Sequence, residues 1–106
     1  MRVLFDQGTP VPLRKLLGPH LVDTAFERGW SALKNGDLLS VAEQAGFESF
    51  VTTDKNLRYQ QNLDARRIAI VVLSSTSWPR IQQVAPAIKQ VIDTALPGGY
   101  YEVEVP

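Results

Sequence analysis

The amino-acid sequence predicts an α/β fold, a three-layer α/β/α sandwich around a mostly parallel central sheet of about five strands. Two observations lead to this expectation. Short apolar or β-branched segments alternate along the chain with segments whose apolar residues have helical spacing. One of the short segments, residues 68–73, is six apolar residues in a row, which is typical of a parallel strand buried on both faces. The chain has 106 residues, the usual size of one domain, so we assign residues 1–106 to a single unit.

Five segments are predicted to form the strands. They are residues 2–5, 20–26, 49–53, 68–73 and 100–105. The last segment alternates apolar and polar side chains and carries Glu102 and Glu104 on one side. Because charged side chains discourage further strand pairing, we place this strand at an edge of the sheet.

Three segments are predicted to form helices: residues 11–17, 37–45 and 78–95. Pro86 falls on the polar side of the third segment, whose apolar residues keep helical spacing on both sides of the proline. We therefore expect one helix that is kinked near Pro86. Residues 55–63 fit either a short helix or an ordered loop.

Composition excludes several classes of protein. The chain holds 11 Lys and Arg against 11 Asp and Glu, so it has no positive excess for a strongly basic nucleic-acid platform. It has no cysteine, which excludes disulfides, thiolate zinc sites and cysteine nucleophiles. Met1 leads directly into a strand-like segment, and no apolar run approaches the roughly 20 residues of a membrane span. We therefore expect a cytoplasmic protein.

Three aspartates occupy positions that favour a shared site. Asp6 and Asp54 each follow directly on a predicted strand, and Asp37 begins the helix that leads back to the third strand. Carboxyl ends of parallel strands meet at one edge of a sheet, where neighbouring strands lie about 4.8 Å apart. A helix that returns across the sheet starts near the same edge. We therefore predict that the three carboxylates face one pocket.

Carboxylates this close together need a cation. At about 5 Å and an effective dielectric constant of 20, each pair repels by roughly 3 kcal/mol. Mg²⁺ or Mn²⁺ prefers oxygen ligands and relieves this repulsion. Each aspartate also has a structural interpretation: Asp6 in a turn, Asp37 as a helix cap and Asp54 in an Asx-turn. Their combination at these three positions favours the shared metal site.

Three short motifs occur in order around these aspartates. They read Asp6-Gln7-Gly8-Thr9-Pro10, Asp37-Leu38-Leu39 and Thr52-Thr53-Asp54-Lys55-Asn56-Leu57. They resemble motifs of the PIN-domain superfamily, and specifically of a short PIN-like branch found in many bacterial proteins. In that branch the first motif is Asp-Glu-Asn-x-Pro and the third is Thr-x-Asp-x-Asp-Phe. The resemblance covers nearly the whole chain through the order of its strands and helices.

The resemblance implies a metal-dependent endoribonuclease that acts on single-stranded RNA, and many such proteins are the toxin of a toxin–antitoxin pair. It implies Mg²⁺ or Mn²⁺ as cofactor and a cognate antitoxin as partner. Asp6, Asp37 and Asp54 would be the catalytic residues and metal ligands. Asn56 would be a weak or outer ligand, and the side chains expected to contact RNA are Lys34, Lys55 and Arg58.

The chain also departs from the family pattern. Gln7 and Asn56 stand where the family has acidic residues, and a further helical glutamate of full-length PIN nucleases has no clear equivalent. These differences favour an alternative, a catalytically inactive PIN-like module that binds RNA or a protein partner. A receiver-like domain with an acidic pocket is a third interpretation, which the missing acid pair after the first strand disfavours. A homodimer stays open, and Trp30 fits either base stacking or a loop anchor.

Overall fold

The computed structural model describes residues 1–57, 63 and 65–106. Its strands are β1 (Arg2–Phe5), β2 (Leu21–Thr24), β3 (Ser49–Thr52), β4 (Ala69–Leu73) and β5 (Tyr100–Val103). They form one sheet in the order β2-β1-β3-β4-β5, and every neighbouring pair is parallel. The predicted fold class is confirmed, and β5 lies at an edge as expected.

The helices lie in the three predicted segments, but their ends differ and the third segment forms two helices instead of the one that was predicted. They are a 3₁₀ helix (Val11–Leu16), α1 (Asn35–Gln44), α2 (Trp78–Gln83) and α3 (Ala85–Thr94). The expected kink is a full break at Val84, between α2 and α3. Pro86 explains the break, because it cannot donate a hydrogen bond to the carbonyl of Gln82 and its ring crowds that carbonyl. The predicted segment 55–63 lies partly outside the described residues.

The sheet is buried on both faces, as the apolar strands predicted. Phe5 and Val51 point to the face covered by the 3₁₀ helix, α2 and α3. Leu4 and Phe50 point to the opposite face, which α1 covers. Each fully buried large apolar side chain contributes about 1.5–3 kcal/mol to folding. No helix among residues 1–57 and 65–106 is long and apolar enough to cross a membrane.

The order of the strands creates a crevice between β1 and β3. The 3₁₀ helix leads from β1 outwards to β2, and α1 then leads back across the other face to β3. Connections thus leave β1 and enter β3 on opposite faces of the sheet. In open parallel sheets of this order, ligands bind at the carboxyl end of such a switch point. Residues that directly follow β1 and β3 are therefore at the favoured position for a site.

Two crossover connections share one face of the sheet. The connection from β1 to β2 and the connection from β4 to β5 both pack against the cluster that contains Leu13 and Ile88. They step in opposite directions along the sheet, so they have opposite hands. One of them is thus an exception to the right-handed rule for parallel crossovers. The consequence is that α2 and α3 lie beside the 3₁₀ helix instead of beside α1.

His20 pairs with α3 in a largely buried position. The side chain of His20 is only 8% exposed, and its Nε2 lies 2.5 Å from Oδ1 of Asp93. Lys89 donates to the other carboxylate oxygen of Asp93 at 2.9 Å. The hydrogen bond with His20, and then the one from Lys89, hold the pKa of Asp93 below its ordinary value of 3.8. This cluster ties the loop before β2 to α3.

We expect the stabilising effect of Asp93 to disappear in acid. A carboxyl group whose pKa is lower in the folded state contributes stability above its unfolded pKa, and this is lost as the pH falls through the folded value. The free energy of unfolding of the wild type should therefore approach that of Asp93→Asn as the pH falls below about 4. Urea titrations of both proteins across this range measure the difference. A difference that stays constant would contradict the assignment.

Candidate metal centre

Asp6 lies directly after β1 at the carboxyl edge of the sheet. Its main-chain N–H continues the ladder by donating to the carbonyl of Val51 in β3 at 2.9 Å. Its Oδ1 accepts a hydrogen bond from the N–H of Gln7 at 2.8 Å, and its Oδ2 accepts one from the hydroxyl of Thr52 at 2.9 Å. These bonds orient the half-buried carboxylate towards the end of β3.

Asp54 lies two residues after β3 and is also half-buried. Its Oδ1 accepts from the N–H of Asn56 at 3.0 Å, which is the Asx-turn that the sequence allowed. Its Oδ2 accepts from the side-chain amide of Asn35, the first residue of α1, at 3.0 Å. The start of α1 is thus fixed against the end of β3.

Thr52 connects the two aspartates. It is fully buried, and its hydroxyl donates to Oδ2 of Asp6 while it accepts the main-chain N–H of Asp54 at 3.1 Å. A single hydroxyl therefore sets the position of both acidic residues. The sequence analysis placed Thr52 in the third strand and at the start of the third motif, but it gave the hydroxyl no role. Its position two residues before Asp54 was the available signal, because a threonine hydroxyl commonly accepts the N–H two residues on.

Asp37 is the third residue of α1 and is exposed. A carboxylate in the first turn interacts favourably with the helix dipole. No hydrogen bond or ion pair involves its side chain among the described residues. Within that part of the chain, no three Asp, Glu, His or Cys side chains lie close enough to hold a metal ion together. The structure thus links Asp6 with Asp54 but does not gather Asp37 with them, and the three-carboxylate site stays a prediction.

The remaining predicted site residues lie around this edge. Asn56 and Lys55 are exposed in the turn after Asp54. Lys55 also lines a cavity of about 310 Å³ at the ends of β4 and β5, with Glu104 in its wall. Lys34 is exposed and precedes the first residue of α1. Arg58, the third residue predicted to contact RNA, lies outside the described residues.

Trp30 is a loop anchor, which confirms one of its two interpretations. Its ring packs edge-on against Phe47, with 6.0 Å between centroids and 81° between planes. The guanidinium of Arg28 lies 4.9 Å from the centroid of the Trp30 ring on its face. Gln7 holds the same loop from the other side by donating from Nε2 to the carbonyl of Ser31 at 3.2 Å. The loop between β2 and α1 is therefore held against Phe47 and against Gln7, the residue that follows Asp6.

Asp6 and Asp54 have the donor chemistry for a hard divalent cation. Each of their carboxylate oxygens accepts one hydrogen bond and keeps a further lone pair. Two carboxylates with several waters form a common Mg²⁺ environment, because this ion gives up its waters reluctantly. The hydrogen bonds from Thr52 and Asn35 would fix the orientation of such ligands from outside.

Comparison with protein-family models, curated proteins and solved structures gave no match to this chain. Function is therefore inferred from the side chains at the carboxyl edge of the sheet, since a fold by itself does not determine activity.

Proposed function

We propose that this chain is a PIN-like ribonuclease that uses Mg²⁺ or Mn²⁺ to cleave single-stranded RNA. The observation that carries the proposal is the link between Asp6 and Asp54 through Thr52 at the β1–β3 switch point. It supplies two oriented carboxylates at the edge of a parallel sheet where ligands bind. The motif resemblance and the family's chemistry agree with this position.

In the proposed reaction, Asp6 and Asp54 would hold the cation, and Asp37, in the first turn of α1, is the predicted third ligand. When bound, the metal supplies Lewis-acid stabilisation of the phosphate and a water of lowered pKa for its hydrolysis. Thr52 and Asn35 hold the two carboxylates in place by donating to one oxygen of each. The exposed ammonium groups of Lys34 and Lys55 would contact RNA phosphates.

We extend the proposal to the cellular role that the resemblance implies. The protein would act in the cytoplasm as the toxin of a toxin–antitoxin pair, with the cognate antitoxin as its protein partner. The balanced formal charge of the chain means that the bound cation, and not a basic surface, would supply most of the attraction for RNA.

Two observations favour a second candidate function, a PIN-like module without catalysis that binds RNA or a protein. Gln7 and Asn56 are neutral where the family has acids, and no group of three acidic or histidine side chains is assembled among residues 1–57 and 65–106. Fewer anionic ligands weaken metal binding. Measurement of metal affinity therefore separates the two functions.

The test is calorimetric titration with Mn²⁺ of the wild type and of the double variant Asp6→Asn/Asp54→Asn, with folding checked by circular dichroism. We expect saturable binding in the wild type and none in the variant, because two ligands are neutralised. Asp37→Asn tests the third ligand and should weaken binding less. Asp23→Asn, on β2 and paired with Arg28, should leave binding unchanged.

Cleavage completes the test of the proposal. Mn²⁺-dependent cleavage of single-stranded RNA should accompany binding and disappear in the double variant. Absence of Mn²⁺ binding by the folded wild type would overturn the nuclease and favour the non-catalytic module.

A further inference from the structure

A cavity of about 450 Å³ lies beside Asp6 at the carboxyl edge of the sheet. Its volume is within the usual range for small-ligand sites. Three parts of the chain form its walls: the residues after β1, the 3₁₀ helix and the residues after β2. The side chains that matter here are Asp6, Gln7, Val11, Arg14, Phe26 and Glu27. Asp6 therefore belongs both to the wall of this cavity and to the proposed metal site.

Phe26 is a large aromatic side chain that the fold leaves 77% exposed in the wall of this cavity. The neighbouring residues fix its main chain. Ala25 is buried and donates to the carbonyl of Phe5 at 2.9 Å. Thr24 and Glu27 exchange two hydrogen bonds of 3.0 Å, from the N–H of each to the side-chain oxygen of the other. The turn thus presents an aromatic ring from a defined backbone.

Arg14 fixes the opposite wall to this turn. Its guanidinium contacts both carboxylate oxygens of Glu27, each at 3.1 Å. This two-point geometry is the strongest and most directional form of an Arg–carboxylate pair. The hydrogen bond from Arg14 also keeps the pKa of Glu27 below its ordinary value, so the pair stays charged near neutral pH. The 3₁₀ helix and the Phe26 turn are therefore held together before any ligand arrives.

We propose that this cavity binds one unpaired nucleobase of the RNA, stacked on the ring of Phe26, beside the proposed metal site that includes Asp6. This inference rests on the proposed function, and it assigns to Phe26 the binding of the RNA beside the bond that is cleaved. Base–aromatic stacking is independent of sequence and is a common means of holding single strands.

The charges of the cavity select the base over other parts of the RNA. Asp6 and Glu27 place two carboxylates in its wall against the single guanidinium of Arg14, which disfavours a phosphate. A neutral, planar base meets no such repulsion. Gln7 uses its side-chain N–H to hold Ser31. Its side-chain carbonyl is left to accept a hydrogen bond from a base edge.

The test measures binding without cleavage. Fluorescence anisotropy is recorded in EDTA with a fluorescein-labelled oligouridylate and with an abasic ribose-phosphate oligomer of equal length. We expect the wild type to prefer the oligouridylate, and Phe26→Ala to lose about 5- to 100-fold in affinity for it, the equivalent of one stacked base. Phe26→Trp should restore binding. Leu96→Ala, which truncates another exposed apolar residue at the opposite edge, is the control and should bind like the wild type.

The outcomes separate this inference from the proposed nuclease. Equal affinity of wild type and Phe26→Ala for the oligouridylate, or equal wild-type affinity for both oligomers, would overturn the base site even if Mn²⁺-dependent cleavage occurs. Loss of binding in Phe26→Ala together with no cleavage by the wild type would support the base site and overturn the nuclease. The base site would also be overturned if a protein partner needed Phe26 for binding and the RNA did not.

Discussion

Replacing Thr52 by valine is expected to weaken Mn²⁺ binding by about 10- to 100-fold, the usual effect of removing a group that orients a metal ligand. The same change should lower the free energy of unfolding by about 1–3 kcal/mol. Valine has the shape of threonine, but it can neither donate to Oδ2 of Asp6 nor accept the N–H of Asp54. Oδ2 of Asp6 and the main-chain N–H of Asp54 would then each lose the hydrogen bond with residue 52. Calorimetry with Mn²⁺ and urea unfolding measure the two effects.

Thr9→Val is the matched control for this experiment. Thr9 is also buried, and its hydroxyl donates to the carbonyl of Val51 at 3.0 Å, away from either carboxylate. That carbonyl keeps its bond from the N–H of Asp6. Thr9→Val should therefore lose about 0.5–1.5 kcal/mol of stability and leave Mn²⁺ affinity unchanged. Equal metal affinities of folded Thr52→Val and wild type would show that Thr52 does not orient the ligands.

The end of β1 could be located from the sequence because its apolar residues stop at Asp6. Asp6 follows β1 directly, and this placement needs only the rule that parallel strands share their carboxyl edge. Strand order could not be read in the same way, since it depends on which faces the helices cover. The position of Asp6 and Asp54 on neighbouring strands thus became certain only with the order β2-β1-β3-β4-β5.

The hydrogen-bond partners within the site depend on the directions of side chains, which a sequence pattern does not specify. Asn35, and not Asp37, is the residue of α1 that reaches Asp54, because α1 begins two residues earlier than its apolar spacing indicates. The exposed position of Phe26 could not be predicted for the same reason. The second strand was predicted to continue to Phe26, whereas the paired hydrogen bonds of Thr24 and Glu27 end it at Thr24.

Truncating Arg66 is expected to lower the free energy of unfolding by about 2–3 kcal/mol, somewhat less than the loss of one partner from a fully buried ion pair. The guanidinium of Arg66 donates to Glu43 at 2.8 Å, to Ser40 at 3.0 Å and to the carbonyl of Gly36 at 3.2 Å. The side chains of Arg66 and Glu43 are only 21% and 19% exposed. Arg66→Ala would therefore leave a carboxylate without its counter-ion in a largely buried position. It would also release the first turns of α1, which carry Asp37.

The control for this variant is Arg67→Ala. Arg67 holds Glu43 through its main-chain N–H at 2.9 Å, so truncating its side chain keeps that bond. Urea unfolding at neutral pH should distinguish the two variants. Equal stabilities of the two would contradict the role given to the Arg66 guanidinium.

The pH dependence of the Arg66 variant gives an independent measurement of the same contact. Burial raises the pKa of Glu43, but the hydrogen bonds from the Arg66 guanidinium and the Arg67 main chain outweigh it and keep this pKa below the ordinary value of 4.5. The stability that the pair contributes is therefore present above that value and is lost as the pH falls through the folded pKa. The difference between wild type and Arg66→Ala should shrink below about pH 4.5. Since α1 also carries Asn35, the Arg66 variant should bind Mn²⁺ more weakly than Arg67→Ala at neutral pH.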